Sequence, residues 1–408
     1  MALLPVREAQ DRLIASLAPL GTERIALGDA LGRMLTEDLA AQRTQPPFDA
    51  SAMDGFAVRF ADVKTLPVTL KIVEEIPAGK MPQATIAKGE AARLYTGSPL
   101  PDGADTVVMQ EHTTYTDALI EVTINEITGE GAHIRKRGND FTEGDVLLTK
   151  GTQLSAQHLT LAAAMNCAEV DVAVRPRVAI VSSGDELVPV GASPGPGQII
   201  ASNGIGLAAW LTARGAEPID FGIIPDDVNA LTVALTKAAH ADLILTIGGA
   251  SVGAHDHVGD AVKAAGGSID FWRVAMKPGK PVIVGKVGDT PLIGLPGNPA
   301  SAFVGAEVFV RPALAALAGA PDAMRTPIKV RLASDMGATG SREEYVRARI
   351  EPGADGVPLA HPFGRQDSSL MSVLAAANAL LVRPADEAPA KAGELVQALY
   401  LDGATPLG

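Results

Sequence analysis

The sequence has one cysteine, Cys167, in 408 residues. A single thiol closes no internal disulfide and builds no paired-cysteine metal site; inside LAAAMNCAEV it reads as a small core residue rather than a nucleophile. Basic charge is also short, with 34 Lys and Arg against 47 Asp and Glu and a net charge of −13. That balance excludes a nonspecific nucleic-acid binder and, at first sight, argues against an anionic substrate as well. No uninterrupted apolar run approaches the roughly 18 residues of a membrane-spanning helix. The start, MALLPVREAQDRL, lacks a basic region followed by an apolar core and a cleavage site, so the expectation is a cytoplasmic protein that is not secreted. No Walker A lysine loop occurs. His255 and His257 flank Asp256 on opposite sides of an extended segment, so zinc is not expected there. No fixed-period repeat is found, and the only low-complexity stretch is GASPGPGQ, 191–198.

What remains is an apolar fraction of 47%, too high for disorder, on a chain long enough for two to four domains. Its character changes near Arg175. Before it, short runs such as VTLKIVEEI (68–76), ADTVVMQ (104–110) and ALIEVTINEI (118–127) alternate with Gly/Pro turns, as β-rich structure does. After it, RVAIVSSGDEL, NGIGLAAWLTARG, EPIDFGIIPDD, VNALTVALTKAAHA, DLILTIGGASVG, DHVGDAVKAAGG and SIDFWRVAM alternate strand and helix. Continuous apolar strands separated by amphipathic helices predict a doubly wound parallel sheet covered on both faces, from 175 to about 320. From about 324, PIKVRLASDM, REEYVRARIE, NALLVRP and ELVQALYL predict a small β domain, a barrel. Residues 3–20 read as an amphipathic helix with no partner evident in the sequence.

In a sheet of this type, ligands sit beyond the carboxyl ends of the strands, where the strand-to-helix turns converge. Four such turns carry chemistry: Ser182-Ser183-Gly184-Asp185-Glu186; Pro225-Asp226-Asp227; the glycine loop with Gly248, Gly249, Ser251 and Gly253, followed by Asp256; and Leu295-Pro296-Gly297-Asn298-Pro299. The glycines suit a phosphate or pterin cradle that is not a dinucleotide fingerprint, because the loop follows the third strand. Asp185, Glu186, Asp226 and Asp256 are expected to converge, and an all-oxygen set favours Mg²⁺. Asp227 reads equally well as a helix cap. Arg273, Lys277 and Lys280 bracket a Pro/Gly turn able to clamp an oxyanion. In the β-rich half, PPFDASAMDGFAVR (46–59) is too polar for a core strand and is expected on a surface turn. Two further loops, one from Tyr95 to Gly103 and one from His133 to Asp140, are candidates beside it.

SAMDGFAVR, TGSPLPDGADTVVMQE, IRKRGND, SSGDEL, GGASVGAHD, KPGKP and LPGNPASA, in that order, resemble the molybdopterin molybdenumtransferase (MoeA) family, which includes the E domain of gephyrin. The resemblance covers essentially the whole chain. It implies a homodimer of elongated, multidomain α/β plus β subunits. Residues 22–44 and 141–174 would form a linker and dimerisation domain; 45–140 a β-rich domain bearing SAMDG; 1–21 and 175–323 a MoaB/MogA-like α/β molybdopterin-binding domain; and 324–408 a C-terminal β domain. The implied reaction inserts molybdate into adenylylated molybdopterin and releases AMP, with Mg²⁺. Matched to the family's motifs, Asp54, Thr96, Asp140, Glu186, Asp226 and Asp256 fall on catalytic positions, with the last three also holding metal. Ser183, Gly248, Gly249, Ser251, Gly253, Arg273, Lys277, Lys280, Pro296, Gly297, Asn298, Pro299, Arg347, Ser368 and Ser369 fall on the pterin and oxyanion pocket. Arg273 stands where some relatives carry lysine. Implied partners are a second copy, a molybdopterin adenylyltransferase and molybdoenzyme maturation proteins, with neither nucleic acid nor membrane. The alternatives are adenylyltransferase activity itself and a non-catalytic, peptide-binding scaffold. Charge is local: residues 182–260 hold nine acids and two bases, while 263–288 hold five bases and one acid. An acidic stretch followed by a basic turn suits a metal beside an oxyanion, which the global −13 conceals.

Overall fold

The computed structural model describes residues 3–249, 257–320 and 324–401. The chain forms two compact units, one from residues 1–23, 32–36 and 172–408, the other from 24–31 and 37–171.

The first unit contains a six-stranded sheet in the order Glu217–Ile224, Arg177–Ser183, Leu243–Ile247, Thr290–Leu295, Ile283–Val287, Ser268–Phe271. Its first four strands are parallel, each a continuous or nearly continuous apolar run, as a sheet buried on both faces requires. Alternation assigns the faces. Val178, Ile180 and Leu245 pack with Leu207, Leu211 and the long helix after residue 298, whereas Ala179, Val181 and Ile244 pack with Leu231, Leu235, Val258 and Val262. The sheet is nevertheless mixed rather than wholly parallel, because Ile283–Val287 runs antiparallel to Thr290–Leu295. A two-residue turn, Gly288-Asp289, joins them, with Gly288 at φ +58°, where glycine carries no steric cost.

The stretch Pro299–Leu317 is 19 residues long and, by length and composition alone, could cross a membrane; here 78% of it is buried as a core helix. Its middle turn, Ala306–Val310, is π-helical. The N-terminal helix Val6–Ala15 finds its partner there: Val6, Ala9 and Leu13 join the same core, and buried Gln10 donates from Nε2 to Val308 O at 2.8 Å. Pro312, four residues on, has no N–H to give the Val308 carbonyl, which gains this donor. Just ahead of the helix, Leu4 pairs with the backbone of Arg273 and Ala275. On the long helix, Glu307 is almost wholly buried and accepts from Arg214 at 2.6 Å and Trp210 Nε1 at 2.8 Å, with Arg311 at 3.3 Å. The Arg214 guanidinium also stacks 3.9 Å from the Trp210 ring.

The C-terminal part is a closed barrel in which Glu343–Glu351, Leu359–Pro362, Ile328–Leu332, Leu395–Tyr400 and Ala379–Arg383 follow one another and the last pairs back to the first. Closure leaves none of the five with a free edge around the ring. Leu359–Pro362 completes a ring of which the sequence showed four strands.

The second unit is built on a six-stranded sheet ordered Thr106–Met109, Gly55–Val58, Glu90–Leu94, Val68–Ile76, Glu121–Ile124, Thr113–Tyr115. Here one expectation is overturned: the second half of the SAMDG run is a core strand, with all four residues Gly55–Val58 buried. Phe56 and Val58 face one apolar cluster and Ala57 the other, so the strand is covered on both sides. Its glycine is a packing requirement, since a Cβ on Gly55 would lie 2.0 Å from Val108 O.

Replacing Glu307 by leucine leaves Arg214 facing an uncharged side chain in the core. We expect a loss of about 3 kcal/mol or more, the usual result of breaking a buried pair. Chemical denaturation followed through Trp210 fluorescence measures it, and a loss under about 1 kcal/mol contradicts this account of the pair.

Candidate functional site

In the first unit the turns after four parallel strands begin at one level. Ser183 pairs with Ile224, Ser182 with Ile247, and Ile247 with Leu295. They enclose a cleft of about 570 Å³. Ser183, Glu186, Asp226, Gly248, Gly249, Pro296, Gly297, Asn298, Pro299 and Ser369 all line it.

The acidic wall is ordered by hydrogen bonds. Ser183 Oγ donates to Asp226 Oδ1 at 2.8 Å, and the Asp226 amide donates to Asp185 Oδ1 at 3.1 Å. The Glu186 carboxylate folds back over Gly184, where a Cβ would meet its oxygens at 2.7 and 2.8 Å, so Gly184 makes room for it. Asp227 takes the capping role: its carboxylate accepts from Ala230 N at 2.9 Å at the start of the helix Val228–Ala238. Asp256, Ser251 and Gly253 lie outside the described residues. Among the described residues no three of His, Cys, Asp or Glu gather as metal ligands.

The floor is backbone. Gly248 has φ +90°, and a Cβ there would meet Ser183 O at 2.4 Å; a Cβ on Gly297 would meet only Gly248 Cα, at 3.7 Å. The opposite rim is tied to the barrel, for Asn298 Nδ2 donates to Ser368 Oγ at 3.0 Å and Ala300 N to Ser368 O at 3.0 Å. Pro299 starts the helix with no amide hydrogen to leave unpaired.

The cations are placed differently from expectation. Arg347 does not line the cleft: it is fully buried in the barrel, on a strand paired along both edges. Its Nε donates to Gln366 Oε1 at 3.2 Å and Nη1 to Asp367 O at 2.9 Å, so it supports the loop that carries Ser368 and Ser369. Burial pulls its pKa below the usual arginine value. Lys277 pairs with Glu344 at 2.9 Å and borders a second groove of about 350 Å³ with Gln366 and Arg383. Lys280 is exposed, and Arg273, half-buried, gives its carbonyl to Leu4 N.

In the second unit, three motif loops meet. Ser51 joins them: its amide donates to Ser98 O, its carbonyl accepts from Gly97 N, and it pairs with Ile134. Asp54 accepts from Thr96 N at 2.7 Å and Thr96 Oγ1 at 2.9 Å. These two bonds, amide first, hold its carboxyl below the usual carboxylate range; slight burial opposes them and the Arg93 charge assists. Asp140 is exposed on the third loop, its amide donating to Gln45 O at 3.1 Å. On the same loop, Lys136 pairs with Asp49 at 2.8 Å.

Sequence reasoning missed the residue behind Asp54. Arg93 is buried among the rings of Phe56, Tyr95 and Tyr115, with its guanidinium 5.0, 5.0 and 5.3 Å from their centroids. It donates to Gly55 O at 3.1 Å and to Gln110 Oε1 at 2.7 Å, and the Gln110 amide donates to Asp54 O at 3.0 Å. The available signal was a lone arginine inside the alanine-rich strand EAARL. Asn203 was missed as well; it lines the cleft and donates to Gly297 O at 2.7 Å.

With this geometry in place, comparison with known proteins is decisive. The chain matches the MoeA N-terminal region (domain I and II) over residues 4–166, the probable molybdopterin binding domain over 179–316, and the MoeA C-terminal region (domain IV) over 329–401. It is 39% identical to the molybdopterin molybdenumtransferase of Nostoc sp. over 390 residues, 93% of this chain and 89% of that one. The chain belongs to the molybdopterin molybdenumtransferase family. The Bacillus subtilis molybdopterin molybdenumtransferase is 34% identical, with 98% of this chain and 94% of that one covered. A crystal structure of the molybdopterin biosynthesis MoeA protein from Pyrococcus horikoshii superposes with a TM-score of 0.82 at 29% identity, covering 98% of this chain and 100% of that one. That structure shares the α/β plus β architecture described above.

Because Asp54 is held ionised, its contribution to stability is present above the unfolded carboxyl pKa and is lost as pH falls through the lower folded value. Replacing Thr96 by valine removes the hydroxyl donor and keeps the amide. We expect the Asp54 carboxyl, followed by carbon-detected NMR titration, to move upward towards its ordinary value. An unchanged titration would show that the hydroxyl has no hold on it.

Proposed function

We propose that this chain inserts molybdate into adenylylated molybdopterin and releases AMP; its relatives are named molybdopterin molybdenumtransferases. The observation that carries the reading is the glycine-floored cleft with Ser183, Glu186 and Asp226 on one wall, in a chain that also has both flanking regions of the family. An adenylyltransferase needs neither the SAMDG-bearing unit nor the C-terminal barrel. A pure scaffold has no use for a paired Asp54 and Thr96.

Gly248 and Gly297 line the cleft with bare backbone, a surface on which a flat heterocycle can lie without meeting a side chain of theirs. Glu186 and Asp226 carry hard oxygen donors on the cleft wall, the donor chemistry that suits a divalent ion such as Mg²⁺. Such an ion, when bound, would neutralise phosphate charge. The Ser183 hydroxyl keeps the Asp226 carboxylate turned inward, and Asp54, held ionised by Thr96, is an acceptor for a proton from water or from protonated molybdate. The flexible cations Lys277 and Lys280 are suited to oxyanions, and Lys277 must exchange Glu344 for one to do so. Arg347 acts from behind, through the loop bearing Ser368 and Ser369. A homodimer is the expected state; Leu31, Val146 and Leu147, exposed apolar residues of the second unit, are suited to cover by a second copy. The substrate's phosphoanhydride requires an adenylyl-transfer reaction upstream.

Purified protein given adenylylated molybdopterin, molybdate and Mg²⁺ is expected to release AMP and yield molybdenum cofactor. ATP-dependent adenylylation of free molybdopterin, without AMP release from the adenylylated substrate, would overturn the assignment. Asp54→Asn is expected to lower kcat by about a hundredfold, within the usual range for proton-transfer groups, with Tm unchanged. A rate within about twofold of the wild type removes Asp54 from the mechanism.

A further inference from the structure

We propose that the first unit carries a second ligand site, a pocket for an uncharged, ring-containing hydrophobic small molecule, separate from the glycine-floored cleft and independent of the reaction performed there.

Two contacts bring the helix Asn203–Thr212 against the long helix that starts at Pro299. A Cβ on Gly206 would meet the Phe303 ring at 2.6 Å, so glycine lets that ring lie on the first helix. One turn further along both, Trp210 Nε1 donates to Glu307 at 2.8 Å. Beside these pairs opens a pocket of about 380 Å³, within the range of small-molecule sites. Trp210, Phe303 and Leu401 line it, each half-buried and so open to a ligand. The short helix Met371–Ala376 adds Met371, Leu374 and Ala375. None of its six residues is buried, so its apolar side chains border the pocket instead of filling a core. The cleft is close by but distinct. Pro299 and Ser369 line the cleft while Phe303 and Met371 line the pocket, and the two share no lining residue.

The electrostatics select the ligand class. Among the described residues two charged ones line the pocket, Arg214 and Glu307, and they answer each other at 2.6 Å. Glu307 also draws on Trp210, on Arg311 at 3.3 Å and on Arg325 at 3.6 Å, so it has no use for a ligand cation. Arg214 in turn gives Nη1 to Trp210 O at 3.1 Å and lays its guanidinium 3.9 Å from the Trp210 ring. A ligand anion would find Arg214 engaged and Glu307 repelling it, and would lose its hydration against an apolar wall. What the pocket can reward is removal of apolar surface from water, and the Trp210 and Phe303 rings suit a ligand with rings of its own.

Trp210 and Trp272 are the two tryptophans of the chain, so Trp272→Phe leaves Trp210 as sole reporter. Titrating that intact variant with N-phenyl-1-naphthylamine is expected to quench Trp210 emission saturably. 1-Anilinonaphthalene-8-sulfonate, the same rings with an added sulfonate, should bind at least about tenfold more weakly. In the same background, Leu374→Asp charges the wall and Ala375→Phe fills the space. Each should weaken the uncharged probe by about tenfold or more, with Tm unchanged. If Leu374→Asp does not fold, Ala375→Phe, at an exposed position, decides alone. Pterin-6-carboxylate, a ligand for the cleft, should not displace the probe. The proposal fails if quenching does not saturate, if Ala375→Phe binds the probe as the parent does, or if the sulfonate binds as tightly as the uncharged probe. Displacement by pterin-6-carboxylate would put the probe in the cleft and also overturn it. A changed sedimentation coefficient in either variant would make this wall a contact between copies of the chain, and the ligand site would fall with it.

Discussion

Parallel strand pairing in register is the constraint from which the cleft follows. Once Ser182 is level with Ile247 and Ile247 with Leu295, three chain segments leave the sheet at the same height and in the same direction. Each must then turn, and residues 183–186, 248–249 and 296–299 do so around one space. Glycine is required where the turns crowd, as at Gly248, whose positive φ and contact with Ser183 O leave no place for a side chain. The acidic residues follow from the same geometry, since Asp226 leaves the neighbouring strand beside Ser183 and is held by its hydroxyl.

Much of this was legible in the sequence because apolar strands and amphipathic helices have different periods. The same logic placed the cleft at the strand ends and identified about half of its lining, missing the stretch 199–204. It was weakest where a residue's role depends on partners far away along the chain. Gly55–Val58 looked too polar for a core strand, because the small residues and aspartates of its own neighbourhood say nothing about Val108 or Ala92 beside it. Strand direction was likewise hidden: Gly288-Asp289 is a hairpin turn, which makes the sheet mixed, and the apolar runs flanking it suit either direction. Arg347 was read as a cation for the pocket, yet barrel closure buries it and leaves it holding a loop. Asn203 carried no signal of its own, for an asparagine at a helix start is ordinarily a cap.

The two units solve a common problem with different chemistry. Both must hold a carboxylate in a fixed direction near solvent. For Asp226 a neighbouring serine hydroxyl suffices, because the strand beneath it is already rigid. Asp54 sits in a loop, and its restraint is layered: Thr96 bonds the carboxylate, Gln110 bonds the backbone, and a ring-stacked Arg93 bonds Gln110. Loops of this kind acquire precision from what is packed behind them.

The contact between Gln10 and Val308 joins residues 298 positions apart. During synthesis at roughly 5–20 residues per second, the first helix therefore emerges some tens of seconds before the helix that covers its apolar side. Through that interval Val6, Ala9 and Leu13 have no native partner from the long helix. A helix of 10 residues is marginal in water by itself, so the N-terminal segment gains its lasting shape only once the long helix has been made.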